Sequence, residues 1–295
     1  MIIVRLCGGL GNQMFQYAAA RRLALVNGCP LKLDLGWFDD IPGGDTPRHY
    51  ELQAFNSVQE VASRREVRSL QGIDVARWPK IAKRLLKSAG LLKSSSVREK
   101  HFHFDPEILQ LRGSFHLDGY WQSEKYFADA KEIIRKDFSF RETVDPANAA
   151  LAAQIQAVQA VSIHVRRGDY VSNGAIGLRH GSSTLDYYNA ALEVVQGRIA
   201  KPHCFVFSDE PQWAKDNLKI AGPAVYVEHN GPDHGYRDLQ LMALCRHHVI
   251  ANSSFSWWGA WLAEHPGQTV IAPKVWFNSG ATRTDDLIPQ GWLRL

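Results

Sequence analysis

The run His164-Val165-Arg166-Arg167-Gly168-Asp169-Tyr170 holds the residue types with the most chemistry in the chain. Val161 to Val165 reads as a strand, so His164 and Arg166 share one face and Arg167 points to the other. Two adjacent guanidiniums at the carboxyl end of a strand suit an anion, because arginine grips phosphate oxygens with a planar fork. Open α/β sheets also bind their ligands at that end. The competing reading is a strand-end turn in which Arg167 pairs with a nearby carboxylate.

Four other runs have similar character. Gly8-Gly9-Leu10-Gly11-Asn12-Gln13 joins a first strand to a first helix, where glycines let backbone N–H groups approach an anion. It has neither the third glycine of the dinucleotide fingerprint nor a Walker Lys-Ser/Thr. Asp34 nevertheless stands where a ribose-binding acid would sit, which keeps an NAD-type oxidoreductase as an alternative. Asn252-Ser253-Ser254-Phe255 precedes a helix that Ser253 or Ser254 can cap, a second candidate phosphate cradle. Asp209 and Glu210 end a strand; a carboxylate there accepts paired hydrogen bonds from a base edge, or else caps the next helix. Tyr120-Trp121-Gln122 places aromatic faces and an amide at another strand end, suiting a sugar ring or a plain helix entry. Trp257, Trp258 and Trp261 read as core. No Asp-x-Asp pair occurs, and the histidine pairs 101/103 and 247/248 have no acid at ligand spacing, so no metal site is expected.

These motifs need strands that end together and helices that begin there. Strands expected at 160–165, 203–208, 223–228, 248–251 and 268–272 alternate with helices near 183–197, 211–218, 235–246 and 254–264, the pattern of a parallel sheet covered on both faces. The first half has strands at 2–6, 31–35 and 114–120, a helix after Gly11, and a helix over 123–138 capped by Ser123. The expected fold is α/β: two Rossmann-like domains facing across a cleft, 1–150 and 151–295.

The chain has 295 residues, 45% hydrophobic and 22% charged, which fits a globular protein rather than a disordered one. It has no span-length apolar run and no signal-peptide pattern, and its four cysteines are scattered, so a cytoplasmic home is expected. The net charge of +4 is uneven: residues 77–100 hold eight Lys/Arg and one Glu. That segment reads as a solvated basic helix, or as peripheral attachment to an anionic membrane. The remainder is net acidic, which argues against nucleic acid.

Taken together and in order, Gly8 to Tyr17, Gly119 to Phe127, His164 to Tyr170 and Asn252 to Gly259 resemble the α-1,2-fucosyltransferases of glycosyltransferase family 11. The resemblance runs from residue 1 to about 265, with 70–105 poorly matched. It implies a GT-B-like fold and inverting, metal-independent transfer of L-fucose from GDP-β-L-fucose to O2 of a terminal galactose, with no cofactor. It implies a phosphate contact for Arg166, a place near the nucleoside for His164, and a diphosphate cradle at Ser253, Ser254 and Phe255. Asn12, with Gly11, would reach the donor, and Asp209 would read guanine. Tyr120, Trp121 and Gln122 would hold the acceptor. Asp169 is the candidate base, or else the buttress of an arginine. The chain looks like a bacterial form that decorates soluble or lipid-linked glycans of an O-antigen or capsule. A non-catalytic glycan-binding protein is the third alternative.

Overall fold

A computed structural model describes residues 1–43, 46–72, 81, 95–168, 183–278 and 282–295. Asp169 and most of the basic segment 77–100 lie outside the described residues. Two compact units divide the chain, Met1–Ser139 and Phe140–Leu295.

The first unit contains β1 (Ile2–Arg5), α1 (Leu10–Val26), β2 (Leu31–Asp34), α2 (Gly36–Asp39), α3 (Arg64–Gln71), β3 (Ser96–Arg98), β4 (Phe115–Asp118) and α4 (Lys131–Asp137). Its sheet is parallel in the order β2-β1-β4-β3. Ile2, Val4, Leu33 and Leu117 bury themselves with Met14, Phe15 and Ala18 of α1. Strand β3 lies in a stretch where no strand was expected. The helix expected over 123–138 is broken. Ser123 caps only a 3-10 turn, accepting from Lys125 N at 3.3 Å, a second turn covers Ala128–Ala130, and α4 begins at Lys131. Phe127 and Ala130 leave the helical region (φ −137° and −121°). Tyr126 and Phe127 are both buried at this break.

The second unit follows the expected alternation: α5 (Pro146–Gln156), β5 (Gln159–Val165), α6 (Leu185–Arg198), β6 (Pro202–Ser208), α7 (Pro211–Asn217), β7 (Ala224–Val227), α8 (Gly235–Leu244), β8 (His247–Val249), α9 (Ser254–Leu262), β9 (Val270–Ala272) and β10 (Leu293–Arg294). The sheet is parallel, in the order β10-β9-β8-β5-β6-β7. Residues on its two faces build two cores. Val161, Ile163 and Val206 pack with Leu192 and Val195 of α6. Phe205 and Phe207 pack with Leu151, Ile155, Leu241 and Met242. Helix α5 therefore belongs to this unit, and the division falls at 139/140 rather than at 150/151. Trp257, Trp258 and Trp261 are buried against one another and Trp292. No helix among the described residues is long and apolar enough to cross a membrane.

Candidate active site

In the first unit the glycine-rich turn links β1 to α1. Gly8 sits at φ +72°, and a Cβ on it would lie 2.6 Å from Nδ2 of Asn12. Glycine is thus favoured at this position for its dihedral, and a Cβ would also displace the Asn12 amide. Gln13 is fully buried and ties the turn together. Its Nε2 donates to the carbonyls of Gly8 and His49, both at 2.9 Å, and its Oε1 accepts from Glu51 N at 2.9 Å. Gln16 plays a similar part, accepting from Cys7 N at 2.9 Å. Gln122 donates from Nε2 to Oδ1 of Asn12 at 2.8 Å, so the loop after β4 and the glycine-rich turn meet. Gly11, Asn12 and Gln122 form one locality. Tyr120 is exposed, whereas Trp121 is buried and held at φ +54°. Asp34 is committed elsewhere: it accepts from Gly36 N at 3.0 Å and pairs with buried His116 at 2.9 Å. That arrangement removes the observation on which the dinucleotide reading rested.

In the second unit the carboxyl ends of β5 and β6 place Arg166 beside Asp209. Nη1 of Arg166 lies 3.0 Å from Oδ2 of Asp209, while Oδ1 accepts from Arg167 N at 3.0 Å. A Cβ on Gly168 would come within 2.6 Å of the same Oδ2. Asp209, expected to read a base, thus has both oxygens turned to the arginine loop; the parallel register makes it Arg166's neighbour. Arg167 is held by Glu210 at 3.3 Å and stacks 3.8 Å from the Trp213 ring, the structural role foreseen for it.

His164 is buried, its Nδ1 without a hydrogen-bond partner among the described residues. Burial first, and then the Arg166 charge, push its pKa down to about 3, so the imidazole is neutral. Tyr188 Oη donates to its carbonyl at 2.9 Å, and its ring centroid lies 5.5 Å from that of Phe255 in the first turn of α9. The N-cap residue of that helix is Ser253, and its side chain makes no capping hydrogen bond, although Ser253 or Ser254 was expected to cap it. Ser253 instead donates its N–H to Ala251 O at 2.8 Å, and Asn252 donates to Trp276 O at 3.2 Å. The positive end of the α9 dipole therefore has no side-chain oxygen from its N-cap on it.

One carboxylate was missed by sequence reasoning. Asp238, in the first turn of α8, is partly buried, and desolvation raises its pKa to about 6 despite a 2.8 Å hydrogen bond from Asn230. Gly235, three residues earlier, lies near Phe255: a Cβ built on it would be 3.9 Å from Cε2. Asn230 is in turn bonded to buried Asn148, which Asp145 and His229 hold at 2.7 and 2.9 Å. The sequence signal was faint, a lone acid in a helix with an apolar face. Among the described residues no group of three His, Cys, Asp or Glu could hold a metal ion.

Comparison with known proteins supplies a family. Residues 100–295 match the model of Glycosyl transferase family 11. An alpha-1,2-colitosyltransferase of Escherichia coli is 32% identical over 100% of this chain and 99% of its own length. The O-antigen biosynthesis glycosyltransferase WbnK, also of Escherichia coli, is 30% identical over 98% of this chain and 99% of its own. Human galactoside alpha-(1,2)-fucosyltransferase 1 is 25% identical over 56% of this chain and 48% of its own length. In fold, the chain resembles the crystal structure of NodZ alpha-1,6-fucosyltransferase soaked with GDP-fucose (TM-score 0.52, 16% identity, 88% of this chain and 92% of that one). The two-unit parallel α/β architecture is of the GT-B class.

Proposed function

The chain belongs to glycosyl transferase family 11, and on that premise we propose that it moves L-fucose from GDP-β-L-fucose to O2 of a terminal galactose, with inversion and without a metal. The observation that carries this reading is the arginine–aspartate pair at the ends of β5 and β6, set on the same strand as a neutral histidine. Fucosyl transfer moves negative charge onto the departing diphosphate while the sugar becomes oxocarbenium-like. A guanidinium fixed by Asp209 needs no reorganisation as that charge develops, which favours the transition state over the ground state. The start of α9, with Ser253, Ser254 and Phe255, adds backbone N–H groups for the same diphosphate. Neutral His164 packs the nucleoside side without competing for the phosphate.

Asp238 takes the part first given to Asp209. A desolvated carboxylate in the first turn of α8, the helix that begins at Gly235 near Phe255, suits the adjacent N–H donors of a guanine edge. Gly11 and Asn12 serve the donor, and Tyr120, Trp121 and Gln122 the acceptor. Asp169 remains the proposed base for the acceptor hydroxyl. A lipid-linked glycan is the acceptor favoured by the O-antigen relative, and the basic segment 77–100 would then lie on the membrane surface.

The relative with 32% identity favours a second donor, GDP-colitose, which differs from GDP-fucose by lacking the 3-hydroxyl. A site that hydrogen-bonds a hydroxyl rejects the deoxy analogue by about 10⁴–10⁵, whereas an apolar site rejects the added hydroxyl by only about 10². Incubation with each donor and lactose, with and without EDTA, tests both. Fucosyl-lactose and GDP, undiminished by EDTA, are expected. Colitose transfer alone would move the donor assignment, loss in EDTA would end the metal-free claim, and no transfer to any galactoside would overturn the function.

A further inference from the structure

The first unit contains a cavity that shares Trp121 with the proposed acceptor residues and whose other lining residues the transfer reaction does not use. It measures about 280 Å³ and opens between the end of β3 and the 3-10 turn Pro106–Gln110. Ile108 and Leu111 form one wall and Glu99 another. Trp121 and Tyr126, buried and edge-to-face at 5.6 Å, form the floor.

Its floor is built at a cost. Trp121 is a bulky residue at φ +54°, a conformation that costs about 1–3 kcal/mol and persists where surroundings over-determine it. What fixes it is Glu99, whose two oxygens accept from the N–H groups of Tyr120 and Trp121 at 2.8 and 3.0 Å. Gly119 makes room for that contact, since a Cβ there would lie 2.4 Å from Cβ of Glu99. The indole Nε1 of Trp121 is buried without a partner among the described residues, a loss of about 1–3 kcal/mol that packing alone does not reward. The Glu99 carboxyl is itself raised in pKa by burial. Strain, an unmet donor and a desolvated acid therefore converge on the position next to Gln122, whose amide holds Asn12.

The lining identifies the ligand class. Arg98 and Lys100 are set against Glu99, Asp105 and Glu107, so there is no cation excess to hold a phosphate. Mixed polar groups over an aromatic and aliphatic floor suit a neutral polyol. The volume lies just below the ~300–1,000 Å³ of drug-sized ligand pockets, room for one sugar ring. We propose that this cavity is a second carbohydrate subsite, which takes a sugar unit of the acceptor glycan other than the galactose that is modified. The proposal rests on the glycosyltransferase reading for its choice of glycan, and on the first unit alone for its geometry.

The test compares methyl β-galactoside with a galactose-ended trisaccharide, using the full chain and an Ile108→Trp variant that fills the cavity. The KM for the trisaccharide should rise about tenfold, equivalent to ~1.4 kcal/mol, with the KM for methyl β-galactoside and for the donor unchanged. Equal losses on both acceptors, or none on either, would overturn the subsite while leaving the transferase reading intact. Glu107→Trp, at an exposed lining position, replaces Ile108→Trp if that variant does not fold. Should the parent protein form no product at all, the functional reading fails and the subsite is read by saturation-transfer NMR instead. Signals from the non-galactose units, lost on filling the cavity, support it; their absence with the parent protein refutes it.

Discussion

Replacing Asp209 with asparagine should separate catalysis from stability. The Arg166–Asp209 contact is 3.0 Å long and each side chain is 23% exposed, so the ion pair stands partly in water. Such pairs contribute about 0–1 kcal/mol, and the melting temperature should barely move. Asparagine keeps the shape and the acceptor for Arg167 N, but sets an amide N–H₂ or a neutral oxygen against the guanidinium. Arg166 then loses the partner that aims it. A fixed donor of this type is worth ~2.7–4 kcal/mol in the transition state, and a misplacement of about 1 Å costs up to ~10² in rate. The expected result is a fall in kcat of about 10- to 100-fold, ~1.4–2.8 kcal/mol, with donor KM changed little. The assay is initial-rate release of GDP, paired with thermal denaturation. A kcat within about twofold of the parent would refute the positioning role. A selective rise in donor KM would refute it differently, by returning Asp209 to recognition of the base.

Three further outcomes follow from the geometry. Arg166→Lys should fold normally and lose about 10²–10³ in kcat, because a point charge cannot replace the fork; near-parental turnover contradicts the role. Gly8→Ala meets both a positive φ and Nδ2 of Asn12 at 2.6 Å, so it should lower the melting temperature and kcat together, and an unchanged protein would remove the turn from the site. Asp238 has a folded pKa raised to about 6, so the folded state binds the extra proton and stability falls as pH rises from about 4 through 6. Asp238→Asn should therefore stabilise the protein at pH 7, by up to about 3 kcal/mol, with no difference near pH 4. Donor KM should rise in the variant, and in the parent as pH drops below 6. A pH-independent stability difference refutes the assignment.

Asn12 meets Gln122, Arg166 meets Asp209 and His164 lies near Phe255, pairings that the sequence left only half legible. Alternation of apolar runs revealed the parallel sheet of the second unit because its central strands β5, β6, β8 and β9 are apolar and largely buried, with helical segments between them. Strand β3 was not legible: Ser96-Val97-Arg98 is short, polar and at a sheet edge, held by backbone pairing with β4 rather than by any pattern of its own. The helix expected over 123–138 is interrupted because Phe127 and Ala130 leave helical dihedrals, a local break that apolar periodicity does not encode. Asp238 escaped notice because its character comes from burial beside Asn230, a property of the fold.

The partnership of Arg166 with Asp209 shows how close the remaining gap was. The two lie 43 positions apart, and no spacing rule joins them. Consecutive strands in α/β sheets are usually neighbours, however, and β5 and β6 pair in register with Val165 opposite Ser208. One step further along both strands, Arg166 must stand beside Asp209. The same reasoning applies in the first unit, where Val4 pairs with Leu117 and the two chains leave the sheet together, as Gly8 to Asn12 and as Gly119 to Gln122. In both units the candidate site residues Asn12, Gln122, Arg166 and Asp209 sit past the last paired residues of adjacent parallel strands, where backbone register has set the approach and side chains are free to differ. A parallel sheet therefore supplies the precision that an arginine fork requires, and substitutions that shift register should harm transfer more than those that alter the surrounding loops.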